Sequence, residues 1–168
     1  MEGIQKQRGK IINKKDQLMG TLRKALFIDR DGTIIEDVPY SADPSKIVIY
    51  QDAVELMKEY AGMGYLIVIV TNQSGINRGY FTRKDLEKFN NVLTSKLKSK
   101  GVNVHAIYFC PHKPDENCQC RKPKTGMVMD AAKDLGIDLK NSVMAGDRED
   151  MDGELARRTG MKFILMKK

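Results

Sequence analysis

The sequence predicts an α/β domain built on a doubly wound (Rossmann-like) parallel sheet of five strands. Three observations carry this expectation. Five short apolar runs are continuous in hydrophobicity rather than alternating, as strands covered on both faces require. Helical periodicity falls between them, so strand and helix alternate with short links. Polar, charge-bearing clusters follow the carboxyl ends of the runs, where open parallel sheets bind their ligands. A length of 168 residues matches one domain, which at this size buries roughly 70% of its unfolded surface.

In chain order, residues 1–23 form a basic N-terminal arm and residues 24–168 a single domain. Residues 1–24 hold most of the chain's charge excess: Lys6, Arg8, Lys10, Lys14, Lys15, Arg23 and Lys24 face only Glu2 and Asp16, whereas the whole chain carries +7. No aromatic residue interleaves these charges, so a solvated extension or a weakly ordered helix is expected rather than a strand-gripping nucleic-acid segment. The near-neutral remainder argues in the same direction. Ile11 and Ile12 are followed at once by polar residues, which leaves no apolar core for a secretory signal. No apolar run approaches the ~20 residues of a membrane span. A cytoplasmic monomer is expected.

The strands are read at Ala25 to Ile28, Tyr65 to Val70, Val104 to Phe109, Ser142 to Ala145 and Lys162 to Met166. The first helix, Asp52 to Ala61, spaces Val54, Met57 and Ala61 by three and four residues. The second, Thr82 to Lys100, opens on a capping-box-like Thr-Arg-Lys-Asp and sets Leu86, Phe89, Leu93 and Leu97 on one face. Two shorter helices follow at Gly126 to Leu135 and Gly153 to Thr159. Only eighteen residues separate Thr33 from Asp52, too few for a separate cap domain. The site should therefore be open, rimmed by the segment from Glu36 to Tyr50 and by a loop at 110–120.

That loop holds all three cysteines. Cys110, Cys118 and Cys120 lie within eleven residues together with His112, one of two histidines. Three thiolates and an imidazole are the soft donors a closed, tetrahedral structural Zn²⁺ prefers, and clustering in a reducing compartment points to metal rather than disulfide. The intervening Pro111, Pro114, Asp115, Glu116 and Asn117 make a turn-rich loop with nothing else to hold it. His105 lies in a strand-like run and reads as an ordinary sheet histidine.

Each strand end carries its own polar group. Asp29-Arg30-Asp31-Gly32-Thr33 follows the first strand, with two carboxylates two residues apart. Thr71-Asn72-Gln73-Ser74-Gly75 follows the second, Arg121-Lys122-Pro123-Lys124 closes the zinc-like loop after the third, and Gly146-Asp147-Arg148-Glu149-Asp150-Met151-Asp152 follows the fourth. Each alone has a bland explanation as a turn or solvated surface. Four in order, each at a parallel strand's carboxyl end, point to one crevice that binds a hard divalent cation and handles an anion beside it.

These four motifs resemble those of haloacid-dehalogenase-superfamily phosphatases. Thr-Asn-Gln-Ser-Gly-Ile, Cys-Pro-His, Cys-x-Cys and Cys-Arg-Lys-Pro-Lys resemble more closely the D-glycero-D-manno-heptose 1,7-bisphosphate phosphatase and histidinol-phosphatase group, over about residues 24–166. The resemblance implies a phosphomonoesterase acting on a small phosphorylated metabolite. Asp29 would be the nucleophile that forms an aspartyl-phosphate, and Asp31 the general acid and base. Mg²⁺ would be held by Asp29, the Asp31 main-chain carbonyl and Asp147, while Thr71 and Lys122 hold phosphoryl oxygens. Asn72 and Arg121 are expected substrate contacts, and Arg148 occupies a position where the group carries a cation beside the metal. In the last motif the second acid usually stands four residues after the first, which here is Met151. Asp150 and Asp152 flank it, and counting back from Gly160 favours Asp152 with a one-residue insertion. A sugar bisphosphate is the leading substrate, histidinol phosphate the nearest alternative. A polynucleotide 3′-phosphatase, suggested by Thr-Asn-Gln-x-Gly-Ile, Arg-Lys-Pro and Thr125-Gly126-Met127, comes third.

Overall fold

The computed structural model describes residues 21–168 and the backbone of residues 4–6. The strands are β1 (Ile4–Lys6), β2 (Ala25–Ile28), β3 (Leu66–Asn72), β4 (Ala106–Cys110), β5 (Val143–Gly146) and β6 (Lys162–Leu165). They form one sheet in the order β1-β4-β3-β2-β5-β6, with β2 to β6 parallel and β1 antiparallel to β4. The five expected strands are therefore present. Every residue of β2, β4 and β5 is buried, which is why these segments read as unbroken apolar runs.

Side chains alternate between the two faces, and each face has its own core. Leu26, Ile28, Ile67, Ile69 and Ile107 pack against α1 (Gln51–Gly62) and α2 (Arg83–Ser99). Phe27, Val68, Val70 and Tyr108 pack against α3 (Gly126–Leu135) and α4 (Glu154–Thr159). Helix α2 begins at the expected capping box: Thr82 Oγ1 accepts from the Asp85 amide at 3.1 Å, and the Asp85 carboxylate accepts from the Thr82 amide at 2.8 Å. Such a cap contributes about 1 kcal/mol. It sets where α2 starts, and thereby places Phe89 and Asn90 under the end of β2.

Two expectations are corrected. The sheet has a sixth strand, because Ile4–Lys6 pairs with β4 (Ile4 with Tyr108, Lys6 with Ala106) instead of belonging to a solvated arm. Without it β4 would present a row of unpaired backbone groups at the sheet edge. Residues 1–3 and 7–20, with most of the arm's cations, lie outside the described residues. The folded domain also reaches one residue further back than 24: the Arg23 amide donates to Gly136 O and the Asp138 amide donates to Arg23 O, both at 2.8 Å.

Between Thr33 and α1 the chain makes only isolated bridges and a short 3-10 turn (Pro44–Lys46), so no cap domain covers the sheet's carboxyl edge. His105 behaves as an ordinary sheet histidine. Its Nδ1 accepts from the Ile67 amide at 3.0 Å, and burial together with nearby Arg23 lowers its pKa, so it stays neutral. Among the described residues no helix is long and apolar enough to cross a membrane.

Candidate active site

The carboxyl ends of β2, β3, β4 and β5 lie side by side, because the register aligns Ile28 with Ile69 and Ala145, and Asn72 with Cys110. The polar residues after each strand consequently meet. Asp29, Asp31, Thr71, Asn72, Arg121, Lys122, Asp147, Arg148 and Asp152 all line one cleft of about 310 Å³.

Its centre is a buried ion triad. Lys122 Nζ donates to Asp29 Oδ1 at 2.7 Å and to Asp152 Oδ1 at 2.8 Å, and the lysine side chain is 3% exposed. The two carboxylates keep Lys122 charged, raising its pKa although burial pushes it down. Burial raises Asp29 from 3.8 to about 8; Lys122 opposes the shift and the nearby Asp152 adds to it. Asp147 completes the cluster. One oxygen each from Asp29, Asp147 and Asp152 lies within 4.8 Å of the others, and Thr33 Oγ1 sits 3.4 Å from Asp29 Oδ2 and 3.2 Å from Asp147 Oδ1. With Asp29 ionised, three carboxylates against one ammonium leave an excess of negative charge on hard oxygen donors, which suits a divalent cation such as Mg²⁺ in place of the Asp29 proton.

Local structure separates the two acids that flank Met151. Residues Glu149–Gly153 form a single π-helical turn that runs directly into α4. A π turn accommodates one extra residue, the insertion that the count back from Gly160 requires. It turns Asp152 inward, 1% exposed, where it reaches Lys122. Asp150 points outward and pairs with exposed Arg148 at 2.5 Å. Gly146 faces Asp152 so closely that a Cβ there would overlap its carboxylate, and Gly32, at φ +79°, would bring a Cβ to 2.5 Å of Asp147 Oδ2.

Asp31 stands apart from the three-carboxylate cluster. Its oxygens accept from Arg30 Nε at 3.0 Å, Arg30 Nη2 at 3.1 Å and Gln73 Nε2 at 2.8 Å. Gln73 also donates to Thr71 Oγ1 at 2.9 Å, linking the first two motifs. The Gln73 amide, one of the hydroxyl and amide groups after β3 suited to donating to an anion, donates here to the Asp31 carboxylate. Nothing in the spacing shows that Arg30 wraps back onto one of its two aspartate neighbours.

Asn72 lines the cleft and also clasps Lys122. Its Oδ1 accepts from the Lys122 amide at 2.9 Å, and its Nδ2 donates to the Lys122 carbonyl at 3.3 Å. The loop that delivers Lys122 carries Cys110, His112, Cys118 and Cys120, with one donor atom from each within 4.8 Å of the others. Bonds of ~2.3 Å to sulfur and ~2.0 Å to nitrogen at tetrahedral angles put donors roughly 3.6–3.8 Å apart. The separations of 3.4 Å (Cys110 to His112), 3.3 Å (His112 to Cys120) and 3.7 Å (Cys110 to Cys118) fall near these values, whereas Cys110 Sγ and Cys120 Sγ stand only 2.7 Å apart and would have to spread to share a zinc ion. Burial pushes Cys118 up, but the backbone N–H groups of Arg121 and Cys120 outweigh it and bring the thiol to about 7. Arg121 hangs from the same loop: its amide donates to Cys118 Sγ at 3.4 Å and its Nη1 to His112 O at 3.3 Å.

Comparison with known proteins agrees with this geometry. Residues 119–168 match the HAD-hydrolase-like family model. A probable D-glycero-D-manno-heptose-1,7-bisphosphate 7-phosphatase of Thermoplasma volcanium is 49% identical over 144 residues, covering 86% of this chain and 99% of that protein. The D-glycero-beta-D-manno-heptose-1,7-bisphosphate 7-phosphatase of Helicobacter pylori strain J99 is 47% identical over 132 residues, covering 78% and 76%. The D,D-heptose 1,7-bisphosphate phosphatase of B. bronchiseptica, whose structure was solved with magnesium and phosphate, superposes with a TM-score of 0.77 at 31% identity, covering 84% of this chain and 79% of that one. With the Asp29 strand end, the buried lysine and the acid cluster in one cleft, this chain is a phosphoric monoester hydrolase that belongs to the haloacid-dehalogenase-superfamily phosphatases, in the heptose 1,7-bisphosphate phosphatase and histidinol-phosphatase group.

Proposed function

We propose that the chain removes the 7-phosphate of D-glycero-D-manno-heptose 1,7-bisphosphate through an aspartyl-phosphate on Asp29. The observation that carries the mechanism is the Lys122 ammonium lodged between Asp29 and Asp152 at the floor of an open cleft. An Asp29 oxygen attacks phosphorus while the bond from phosphorus to the sugar oxygen breaks. Asp31 gives that oxygen its proton. Asp31 then takes a proton from water as the water oxygen attacks phosphorus and the bond to Asp29 breaks, releasing phosphate and restoring both carboxyl groups. Lys122 and Thr71 offset charge on the phosphoryl oxygens, and Asp152 holds Lys122 in place. Asp29, Asp147 and the Asp31 carbonyl would hold Mg²⁺, which when bound shields the carboxylate from the phosphoryl dianion.

Support for a bisphosphate comes from the cleft mouth. Arg78, Arg121 and Arg148 line it together, and Arg78 is held by Ser74 Oγ at 3.1 Å and by the Tyr40 ring at 5.1 Å. A second phosphate has cations to meet there. A phosphate-release panel tests the reading: heptose 1,7-bisphosphate is expected to be hydrolysed faster than histidinol phosphate or a 3′-phosphorylated oligonucleotide, with all release abolished in Asp29→Asn. Equal weak rates on all three overturn the specificity.

The two flanking acids separate cleanly. Asp152→Asn should lower kcat/KM about a hundredfold, because it withdraws a charge that orients the group stabilising the transition state. Asp150→Asn should leave it within about threefold, since an exposed pair contributes little. Steady-state kinetics of both variants checks this.

Asp29 also makes the metal-free fold sensitive to pH. Its pKa rises from 3.8 to about 8 in the folded state, so the folded chain holds a proton that the unfolded chain releases. The contribution to stability is present at low pH and is lost as pH climbs from about 4 to about 8. Thermal melts of metal-free protein should show this decline relative to Asp29→Asn, and added Mg²⁺, which competes with that proton, should bind more tightly at the upper end of the window. A wild-type slope identical to that of the variant would contradict it.

Cys110, His112, Cys118 and Cys120 would hold a structural Zn²⁺ that orders the loop bearing Arg121 and Lys122. Zinc contributes roughly 10–16 kcal/mol of apparent binding free energy in small finger peptides, ample to fix a short loop. Chelation should lower the melting temperature and reduce activity together, with both restored by zinc. Activity and melting unchanged after verified zinc removal would show that the loop needs no metal.

A further inference from the structure

Arg30 is the largest fully buried side chain of the described residues, 1% exposed. Removing a guanidinium from water costs several kcal/mol unless every donor direction is answered. Here three side chains answer it. Its Nε and Nη2 form a two-pronged contact with the Asp31 carboxylate at 3.0 and 3.1 Å, its Nη1 donates to Asn90 Oδ1 at 3.1 Å, and its plane lies over the Phe89 ring at 4.4 Å. Asn90 is itself fully buried on the inner face of α2.

A fork with both prongs on one carboxylate fixes that carboxylate's plane, which a lysine's single ammonium cannot do. The remaining contact on Asp31, from Gln73 Nε2 at 2.8 Å, comes from the opposite motif and ties Asp31 to Thr71. A group that moves a proton twice per turnover must return to the same place each time. An error on the order of 1 Å there is enough for a rate loss of about a hundredfold.

We infer that Arg30, anchored on α2 through Phe89 and Asn90, is a positioning residue that sets the orientation of Asp31 for both proton transfers of the phosphatase reaction. This rests on the proposed acid and base role of Asp31. Helix α2 thereby acts on the chemistry without touching substrate.

The test separates the two half-reactions by leaving group. In p-nitrophenyl phosphate the departing nitrophenolate needs no proton, so transfer to Asp29 proceeds without Asp31, whereas hydrolysis of the aspartyl-phosphate still requires it. In Arg30→Met and Arg30→Lys, rapid-quench kinetics should show a first turnover within about threefold of wild type. Later turnovers should slow about tenfold or more, giving a nitrophenolate burst stoichiometric with enzyme and phosphate trapped on protein after acid quench. With an alkyl phosphate, both steps should slow and no burst should appear, with KM within about threefold of wild type. Arg30→Lys keeps the charge and decides the matter by itself if Arg30→Met fails a circular-dichroism check of folding. Equal slowing of all turnovers on both substrates, or wild-type kinetics in Arg30→Lys, overturns the inference. Asp31→Asn is the control: if it does not itself lose alkyl-phosphate hydrolysis, the role given to Asp31 falls; if it does and the Arg30 variants show no burst, only the role of Arg30 falls.

Discussion

The contact of Lys122 with Asp29 and Asp152 is the constraint on which the rest of the site depends. An ammonium that is 3% exposed cannot persist without carboxylates in direct contact, and two buried carboxylates cannot sit together without a cation between them. The partners come from three distant segments: the end of β2, the loop after β4 and the π turn after β5. Each must arrive within hydrogen-bond reach for any of them to be buried. The sheet register delivers the first and third, and the Asn72 amide clamps the backbone of the second.

The same contact explains the charge logic of the cleft. Asp29, Asp147 and Asp152 outweigh Lys122, so the floor is anionic, while Arg78, Arg121 and Arg148 stand at the mouth. A divalent cation bound at the floor would cancel that excess and remove the repulsion a phosphoryl group would otherwise meet there. The arginines can then meet further negative charge on the same substrate. With no cap domain, this recognition must come from short segments, and these brace one another. Tyr40 stacks on Tyr80 with ring centroids 5.1 Å apart, joining the segment before α1 to the one before α2. Tyr40 adopts φ +54°, a left-handed conformation that a bulky side chain holds only where neighbouring contacts stabilise it.

Much of the site was readable because its parts obey local rules. The strands β2, β3, β4 and β5 are buried on both faces, so their composition marks them, and a polar residue just beyond such a run must lie at the carboxyl edge. Asp29, Thr71 and Asp147 follow this rule, whereas Lys122, twelve residues past β4, is carried to the cleft by the Cys/His loop. The clustering of Cys110, His112, Cys118 and Cys120 was legible because soft donors within eleven residues are close in space whatever the fold. Asp152 was half legible. The count from Gly160 suggested an insertion, but only a π turn shows how five residues after Asp147 can point inward when the usual spacing is four.

The sequence by itself determined the α/β class, the helix and strand positions within two residues, the four strand-end motifs and the donor set of the loop. All of these follow from periodicity and from spacings of a few residues. Tertiary structure alone decided that Ile4–Lys6 covers the β4 edge, that Asp152 and not Asp150 joins the acid cluster, and that Arg30 turns back onto Asp31 over Phe89 and Asn90, sixty residues away. These are choices of direction made by charges and backbone groups seeking partners far along the chain. A buried guanidinium or an unpaired strand edge dictates that it must be satisfied, and only the packed fold dictates by what.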